Sequence, residues 1–291
     1  MKQILRAAYK AIPLKKQIFS VLKKVWKPSE SVYRHLHFTG VIDVKVENTK
    51  FRINHYGFLI ENEIFWDGLE NGHESVSCSL WSKLVKESLV IFDIGANTGV
   101  YSLIAASLNP QAQIFAFEPV KRIFQKLEAN IALNDVEITA VEKALSDGNG
   151  QAVIYETGAE HMYSVTVNKN MEPENPDMKE VRIETVRLDT FIEENGLGTI
   201  DLMKIDVETH EPEVLAGMGK YFEKFRPALL IEILEDEVGK RVEELVSGKE
   251  YLYFNIDDKK KSLRRVDHIV KSDLWNYLIC SKEKAHFLGL I

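Results

Sequence analysis

Apolar and polar positions along the chain change period several times, and each change marks an element. Leu89-Val90-Ile91-Phe92 and Gln113–Phe117 are short apolar runs of the kind that make strands buried on both faces. Between them, Val100 to Leu108 reads as a helix, and residues 120–133 repeat apolar positions at Ile123, Phe124, Leu127 and Ile131. Val136–Leu145, Ile200–Ile205 and Ala228–Ile231 read as the third, fourth and fifth strands. A helix over Val238–Val246 and strands at Tyr251–Ile256 and Trp275–Cys280 complete the series, with Lys259–Arg265 as a basic loop. Strands alternating with helices predict an α/β fold. The expected core is a seven-stranded, mostly parallel sheet with one reversed strand and helices on both faces.

Three stretches break this rhythm. Across residues 38–65, Val41, Val44 and Val46, then Phe51 and Ile53, alternate with polar positions and predict a β-hairpin or meander. The loop Trp66–Glu74 then leads into a helix near 75–87, placed to lie across the mouth of a site, with Trp66 and His73 read as packing residues. Ala152–Tyr155 and Val181–Val186 alternate as hairpin strands around a polar loop, an antiparallel insertion over about 151–190. His161, Tyr163 and Ser164 are the candidates for substrate contacts there. Residues 1–27 predict two short amphipathic helices broken at Pro13. In the second, Leu14, Ile18, Val21, Leu22, Val25 and Trp26 share a face. The domain plan is thus an extension over 1–27, a β/helix cap over 28–87 and a main domain over 88–291.

Charge sharpens the reading of that extension. Residues 1–27 hold eight basic side chains and no acidic one, which leaves 29 basic against 44 acidic residues in the remainder, a net charge of −15. An acidic body argues against nucleic acid as a partner. A basic amphipathic helix fits the surface of an anionic membrane, or packs on the acidic body or a second subunit. Two distant cysteines, Cys78 and Cys280, have no metal-binding spacing and point to a reducing compartment. The expected location is cytoplasmic, with peripheral membrane contact through residues 1–27 as an option; no span has the length and apolarity of a membrane helix.

The candidate chemistry lies at the strand tips. Asp93-Ile94-Gly95-Ala96-Asn97-Thr98-Gly99 turns from strand into helix, where glycines let a ligand approach backbone N–H groups. A dinucleotide fingerprint wants glycines at the first, third and sixth positions, here Gly95, Asn97 and Val100. Two of the three fail, and no Gly-Lys-Ser/Thr follows to make a phosphate loop. The pattern suits an adenosine ligand without phosphate, such as S-adenosylmethionine. Glu118 ends the second strand, where an acidic residue holds a ribose diol. Ser146 and Asp147 end the third strand and would flank the adenine. Asp206, Glu208, His210 and Glu211 crowd the tip of the fourth strand, and Glu232 ends the fifth. Open α/β sheets do chemistry at this rim, although acids there also cap the following helix.

In order, Asp93–Ser102, Phe117-Glu118-Pro119, Ala144-Leu145-Ser146-Asp147, Leu188-Asp189, Lys204-Ile205-Asp206-Val207-Glu208 and Ile231-Glu232 make the chain resemble the FkbM-type S-adenosylmethionine-dependent methyltransferases. The resemblance covers about residues 70 to 235. It implies a Rossmann-like class I methyltransferase fold and O-methylation of a hydroxyl on a sugar, glycan, glycolipid or natural product. By position it assigns Asp93, Gly95, Asn97 and Gly99 to the methionine end of S-adenosylmethionine, Glu118 to the ribose, and Ser146 and Asp147 to the adenine side. Thr209 stands where that family usually has glycine.

Methyl transfer from a sulfonium is an in-line displacement that depends on placing the acceptor oxygen behind the methyl group. The acceptor must also lose its proton, and Asp206, Glu208 or His210 is the expected base, with Glu232 orienting the acceptor. No metal is assigned, though Asp206, Glu208 and Glu232 form an alternative oxygen set for a divalent cation. The competing readings are a nicotinamide (NAD) dehydrogenase and a non-catalytic, membrane-recruited nucleotide-binding module.

Overall fold

A computed structural model describes residues 13–72, 74–157, 165–167 and 178–291. Helix α1 (Lys15–Leu22) and the single turn α2 (Glu30–Tyr33) precede an antiparallel hairpin, β1 (Gly40–Val46) with β2 (Thr49–His55). Helices α3 (Leu59–Trp66) and α4 (Ser75–Val85) follow. The α/β core begins with β3 (Val90–Ile94), α5 (Val100–Leu108), β4 (Gln113–Phe117), α6 (Lys121–Ile131) and β5 (Thr139–Val141). Next come β6 (Ala144–Ser146), β7 (Gly150–Thr157), β8 (Val165–Val167), β9 (Met178–Arg187) and α7 (Leu188–Glu194). The chain then forms β10 (Leu202–Ile205), α8 (Glu211–Gly217), α9 (Lys220–Phe225), β11 (Ala228–Glu232) and α10 (Asp236–Val246). It ends with β12 (Tyr251–Asp257), β13 (Ser262–Val266), β14 (Asn276–Ser281) and α11 (Lys282–Phe287).

The main sheet has the order β13-β12-β14-β11-β10-β3-β4-β5. From β11 through β5 every pairing is parallel, and β14 runs antiparallel between β11 and β12. The chain reverses its direction of spread between β5 and β10, on either side of β3 and β4, so the tips of β3 and β10 flank a topological switch point. All five residues of β3 and all four of β10 are buried. Alternate side chains serve opposite faces: Ile91, Leu202 and Leu230 pack with α4 and α5, whereas Phe92, Met203 and Leu229 pack with α7, α8 and α10. Phe191 of α7 packs against Phe92, Phe115 and Phe117 with ring centroids 5.0–5.8 Å apart. Each such fully buried side chain contributes roughly 1.5–3 kcal/mol.

Three expectations need correction. The sheet has eight strands, because the basic segment expected as a loop contains β13, paired antiparallel with β12. Its lysines and arginines are those of an exposed sheet edge, where charge discourages further pairing, and polarity alone made it look like a loop. The run 136–145 is not one strand. Glu142 and Lys143 interrupt it, so β5 closes the main sheet while β6 pairs with β9 in a second sheet of order β6-β9-β7-β8. The segment 38–65 is a hairpin only as far as His55; residues 59–66 are helical. The insertion does form an antiparallel β7–β9 pair. Residues 1–12, His73, His161, Tyr163 and Ser164, and the loop 168–177 lie outside the described residues. Among those described, no helix is long and apolar enough to cross a membrane.

Candidate functional site

Two loops and a helix enclose a cavity of about 460 Å³ at the tips of β3, β4, β10 and β11. That volume is within the usual range for small-molecule sites, roughly 300–1,000 Å³. One part of its lining comes from Asn97, Thr98, Glu118, Val120, Ile123 and Leu145. Another comes from Lys204, Asp206, Glu208, His210 and Glu232, and a third from Leu59, Ile60, Glu63 and Ile64 of α3. The segment leading into α4 therefore does wall the site, with Gly68, Leu69 and Glu74 in the lining. Trp66 is buried in the hydrophobic core, as a packing residue would be.

The loop after β3 is built differently from the sequence expectation. Its N–H groups are not bare: Gly95 and Ala96 donate to the Phe117 carbonyl at 3.0 and 2.9 Å, and Asn97 donates to Glu118 Oε2 at 3.2 Å. Gly95, at φ 77°, is needed because a Cβ there would overlap the Asp206 carbonyl oxygen. Gly99, at φ 88°, leaves room for Leu127, whose Cδ1 would lie 2.5 Å from a Cβ. These glycines therefore serve the close packing of two strand tips and a helix.

Glu118 is the hinge of this half. Its Oε1 accepts from the Val120 N–H at 2.9 Å while Oε2 holds Asn97, and each oxygen keeps a lone pair for a ligand hydroxyl. Burial pushes its carboxyl up to about 7. Asn97 Oδ1 is buried without a partner. Asp93 accepts from the Ser102 N–H at 2.9 Å and from its hydroxyl at 2.6 Å, which pins the first turn of α5; burial raises its carboxyl to about 6. Ser146 and Asp147 lie outside the cavity lining. The Ser146 hydroxyl is within 3.0 Å of His210 Nε2, and Lys143, Ala144 and Leu145 border the cavity in their place.

The opposite rim is acidic around one buried cation. Lys204 pairs in register with Asp93, and its Nζ lies 2.8 Å from Asp206 Oδ2 and 5.0 Å from the centre of the Tyr101 ring. Burial alone would lower its pKa, but Asp206 and Glu74 more than offset that and hold it charged. Glu232 is pushed well up by burial and by Asp206, with which it shares a hydrogen bond. Glu208, half-buried, is raised to about 7 by burial and by Asp206. His210 is lowered by burial, with Glu213 3.6 Å from its Nδ1. Among the described residues no group of three or more His, Cys, Asp or Glu side chains is placed to hold a metal ion.

The loop carrying these groups adopts left-handed backbone at two non-glycine residues, Glu208 (φ 53°) and Thr209 (φ 80°). It is held by Glu211, fully buried, whose Oε1 accepts from the Val207 and Thr209 N–H groups at 3.2 and 3.3 Å.

Comparison with known proteins adds the family. The methyltransferase FkbM domain matches residues 93–271, more than half of the chain. The chain belongs to the FkbM methyltransferase family. Relatives include the 31-O-demethyl-FK506 methyltransferase FkbM of Streptomyces tacrolimicus, 31% identical over 153 residues, covering 44% of this chain and 59% of that one. The 2-O-methyltransferase NoeI of Sinorhizobium fredii is 32% identical over 155 residues, covering 50% and 63%. The hexuronic acid methyltransferase AglP of Haloferax volcanii is 28% identical over 136 residues, covering 46% and 51%. The chain thus spans about six-tenths of the length of the first two relatives. A solved FkbM methyltransferase from Methylobacillus flagellatus aligns with a TM-score of 0.41 at 14% identity, over 66% of this chain and 43% of that one.

In this FkbM protein three residues build the site in ways the sequence pattern does not assign. Lys204 stands in the family-like motif Lys204–Glu208, with no role assigned from the sequence. Glu211 was grouped with its acidic neighbours, although it faces the protein. Asn130, fully buried on α6, accepts from the Asn54 N–H at 2.8 Å and donates to the Thr98 carbonyl at 2.8 Å, tying hairpin, helix and loop together. Nothing in its local pattern marks it.

Proposed function

We propose that the protein is an S-adenosylmethionine-dependent O-methyltransferase that acts on a hydroxyl of a sugar, glycan, glycolipid or natural product. The observation that carries this reading is one cavity bordered at one side by Glu118 and Asn97 and at another by Glu208 and Glu232. The first side fits the cofactor: Glu118 has lone pairs for a diol, Asn97 Oδ1 lacks a donor, and Val120, Ile123 and Leu145 offer apolar surface for a purine. Asp93, Gly95 and Gly99 shape that side, and Ser146 and Asp147 support its edge. In this reading residues 28–87 cap a cofactor-binding unit made by residues 88–291.

When bound, S-adenosylmethionine supplies an electrophilic methyl group on a sulfonium sulfur. The chain's own residues do the rest by placement and proton handling. Glu208, poised near neutrality, takes the acceptor hydroxyl proton. Glu232, kept protonated by burial and Asp206, gives its one O–H to Asp206 and orients the acceptor by accepting from a neighbouring hydroxyl at its other oxygen. Asp206 pairs with Lys204 at 2.8 Å and sets the field for both. His210, engaged by the Ser146 hydroxyl, supports the loop. The aliphatic face of α3 excludes water. With Glu63, Glu74 and Glu208 around the acceptor and Lys204 matched by Asp206, the site favours a neutral or cationic hydroxylated acceptor over an anionic one such as a hexuronate.

Calorimetric titration with S-adenosylhomocysteine, with NADH as the control ligand, tests the first half. Saturable binding of the former, abolished by Glu118→Ala, is the expected result. Binding of NADH alone would return the protein to the dehydrogenases, and binding of neither would make it a non-catalytic module. An acceptor screen pairing neutral, amino and uronic sugars then tests the charge preference.

A further inference from the structure

Helix α1 is attached to the body along one line only. Phe19 is buried, with its ring centroid 6.0 Å from Phe38 and 5.7 Å from Trp66. Lys23 donates to the Phe65 carbonyl and lies over the Phe65 ring at 5.1 Å. Leu22 is half-buried against the core and Trp26 meets the Trp66 ring edge-on at 6.2 Å, whereas Leu14 is 65% exposed, Val21 64%, Val25 83% and Ile18 43%. Positions 14, 18, 21 and 25 are spaced to form one stripe on a helix and its continuing turn. Single exposed apolar residues are ordinary, whereas a contiguous row of this kind marks a contact surface. At 100° per residue, Lys15 and Lys24 fall on opposite sides of the stripe, where their stems lie along an apolar layer and their ammonium groups reach its polar boundary.

We propose that this face of α1 docks on an anionic bilayer surface. Charge selects that occupant. The first 27 residues carry eight cations and no acidic group, and the rest of the chain carries a net −15. An anionic surface therefore attracts this end and repels the remainder, which fixes orientation as well as affinity. Each lysine brought to such a surface strengthens binding by about fivefold. A second copy of the chain is a poorer occupant, because a two-fold contact through α1 sets like cationic segments against each other. The acidic body is already contacted through Phe19 and Lys23, so it does not use the stripe. Docking has a consequence for the site. Phe65 and Trp66, on which α1 rests, belong to α3, and Leu59, Ile60 and Ile64 of that helix line the cavity. The bilayer thus lies one helix away from the acceptor wall, a placement suited to a hydroxylated headgroup or lipid-linked glycan.

The test uses the full chain sedimented with phosphatidylcholine vesicles and with vesicles that also contain phosphatidylglycerol. Pelleting with the anionic vesicles alone, weakened by added salt, is expected. The double variant Val21→Glu/Val25→Glu should lower the bound fraction at least tenfold while thermal stability and S-adenosylhomocysteine affinity stay unchanged, since both side chains are exposed. Equal pelleting of variant and parent, or no pelleting of the parent, would overturn the proposal. So would light scattering that finds a dimer in the parent and a monomer in the variant, which would make the stripe a subunit interface.

Discussion

The loops that follow β3 and β10 lie side by side at the switch point, and both are clasped by a buried glutamate. Glu118 takes the N–H groups of Asn97 and Val120, and Glu211 takes those of Val207 and Thr209. The loops differ in how they reach the left-handed region. The first uses Gly95 and Gly99, with Asn97 (φ 52°), a residue type that tolerates the conformation. The second uses Glu208 and Thr209, where a side chain is costly. A relaxed loop shapes the cofactor side, and a strained one presents the carboxylates. Strain is tolerable there because Glu211 and the neighbouring strand tip over-determine the geometry.

The sharpest way to break this pairing is Gly95→Ala. The added methyl would overlap the Asp206 backbone, which cannot retreat without parting β3 from β10. The expected loss is about 3 kcal/mol or more, read by chemical denaturation, together with loss of S-adenosylhomocysteine binding. Gly99→Ala meets only the end of the Leu127 side chain, so about 1–2 kcal/mol is expected, mainly from the left-handed backbone. Equal losses would mean that backbone conformation, rather than contact between the two tips, fixes both glycines.

The strained loop is tested next through its chemistry. Glu208→Gln should lower kcat by about 10²–10⁴ while cofactor affinity holds. In the parent, kcat/KM should rise with pH through about 7 as Glu208 deprotonates, and the variant should lose that limb. Glu211 gives a stability signature of opposite sense. Its carboxyl is raised by burial to about 8 in the folded chain, against about 4.3 when unfolded. Its contribution is therefore complete below pH 4 and is lost as pH rises toward 8. Glu211→Gln keeps an oxygen for Val207 and Thr209 but removes the titration. The fall in Tm from pH 5 to pH 8 should be smaller in this variant, by roughly 2–4 °C for each 1 kcal/mol recovered. An unchanged pH dependence would assign the titration elsewhere.

How far this contrast was legible in sequence follows from the same physics. Four of the five parallel strands, β3, β4, β10 and β11, announce themselves as apolar runs, because strands buried on both faces carry mostly apolar side chains. Gly95, Gly99 and Glu118 were legible as a motif, although the reason for the glycines was not: the Asp206 carbonyl comes from more than a hundred residues away. The strain at Thr209 is signalled only by the glycine that the family usually has there, since threonine itself does not advertise a left-handed backbone. Lys204 reaches the cavity from within an apolar strand, and Glu211 faces the protein while Asp206, Glu208 and His210 line the cavity; only the fold separates those directions. Strand β13 and the division of β5 from β6 were missed because short or edge strands carry polar residues. Asn130 depends on three elements meeting, which no local window contains.

The smallest expected effect bears most directly on the strained loop. Thr209 holds φ 80° where the family usually has glycine. A β-branched residue in that region costs about 1–2 kcal/mol, whereas glycine loses about 0.5–1 kcal/mol through its freer unfolded chain. Thr209→Gly should therefore stabilise the protein by up to about 1 kcal/mol, a Tm rise of a few degrees at most. Thr209→Ala keeps the Cβ, and with it most of the strain, so it should be close to neutral. The backbone N–H to Glu211 survives in both, and cofactor affinity should not move. If glycine instead destabilises the protein while alanine does not, the cost at Thr209 has been relaxed by its surroundings and the two loops are equally at rest. If both destabilise it, the threonine side chain is itself a fastening of the loop, and the contrast between the two strand tips lies in how each is tied down rather than in strain.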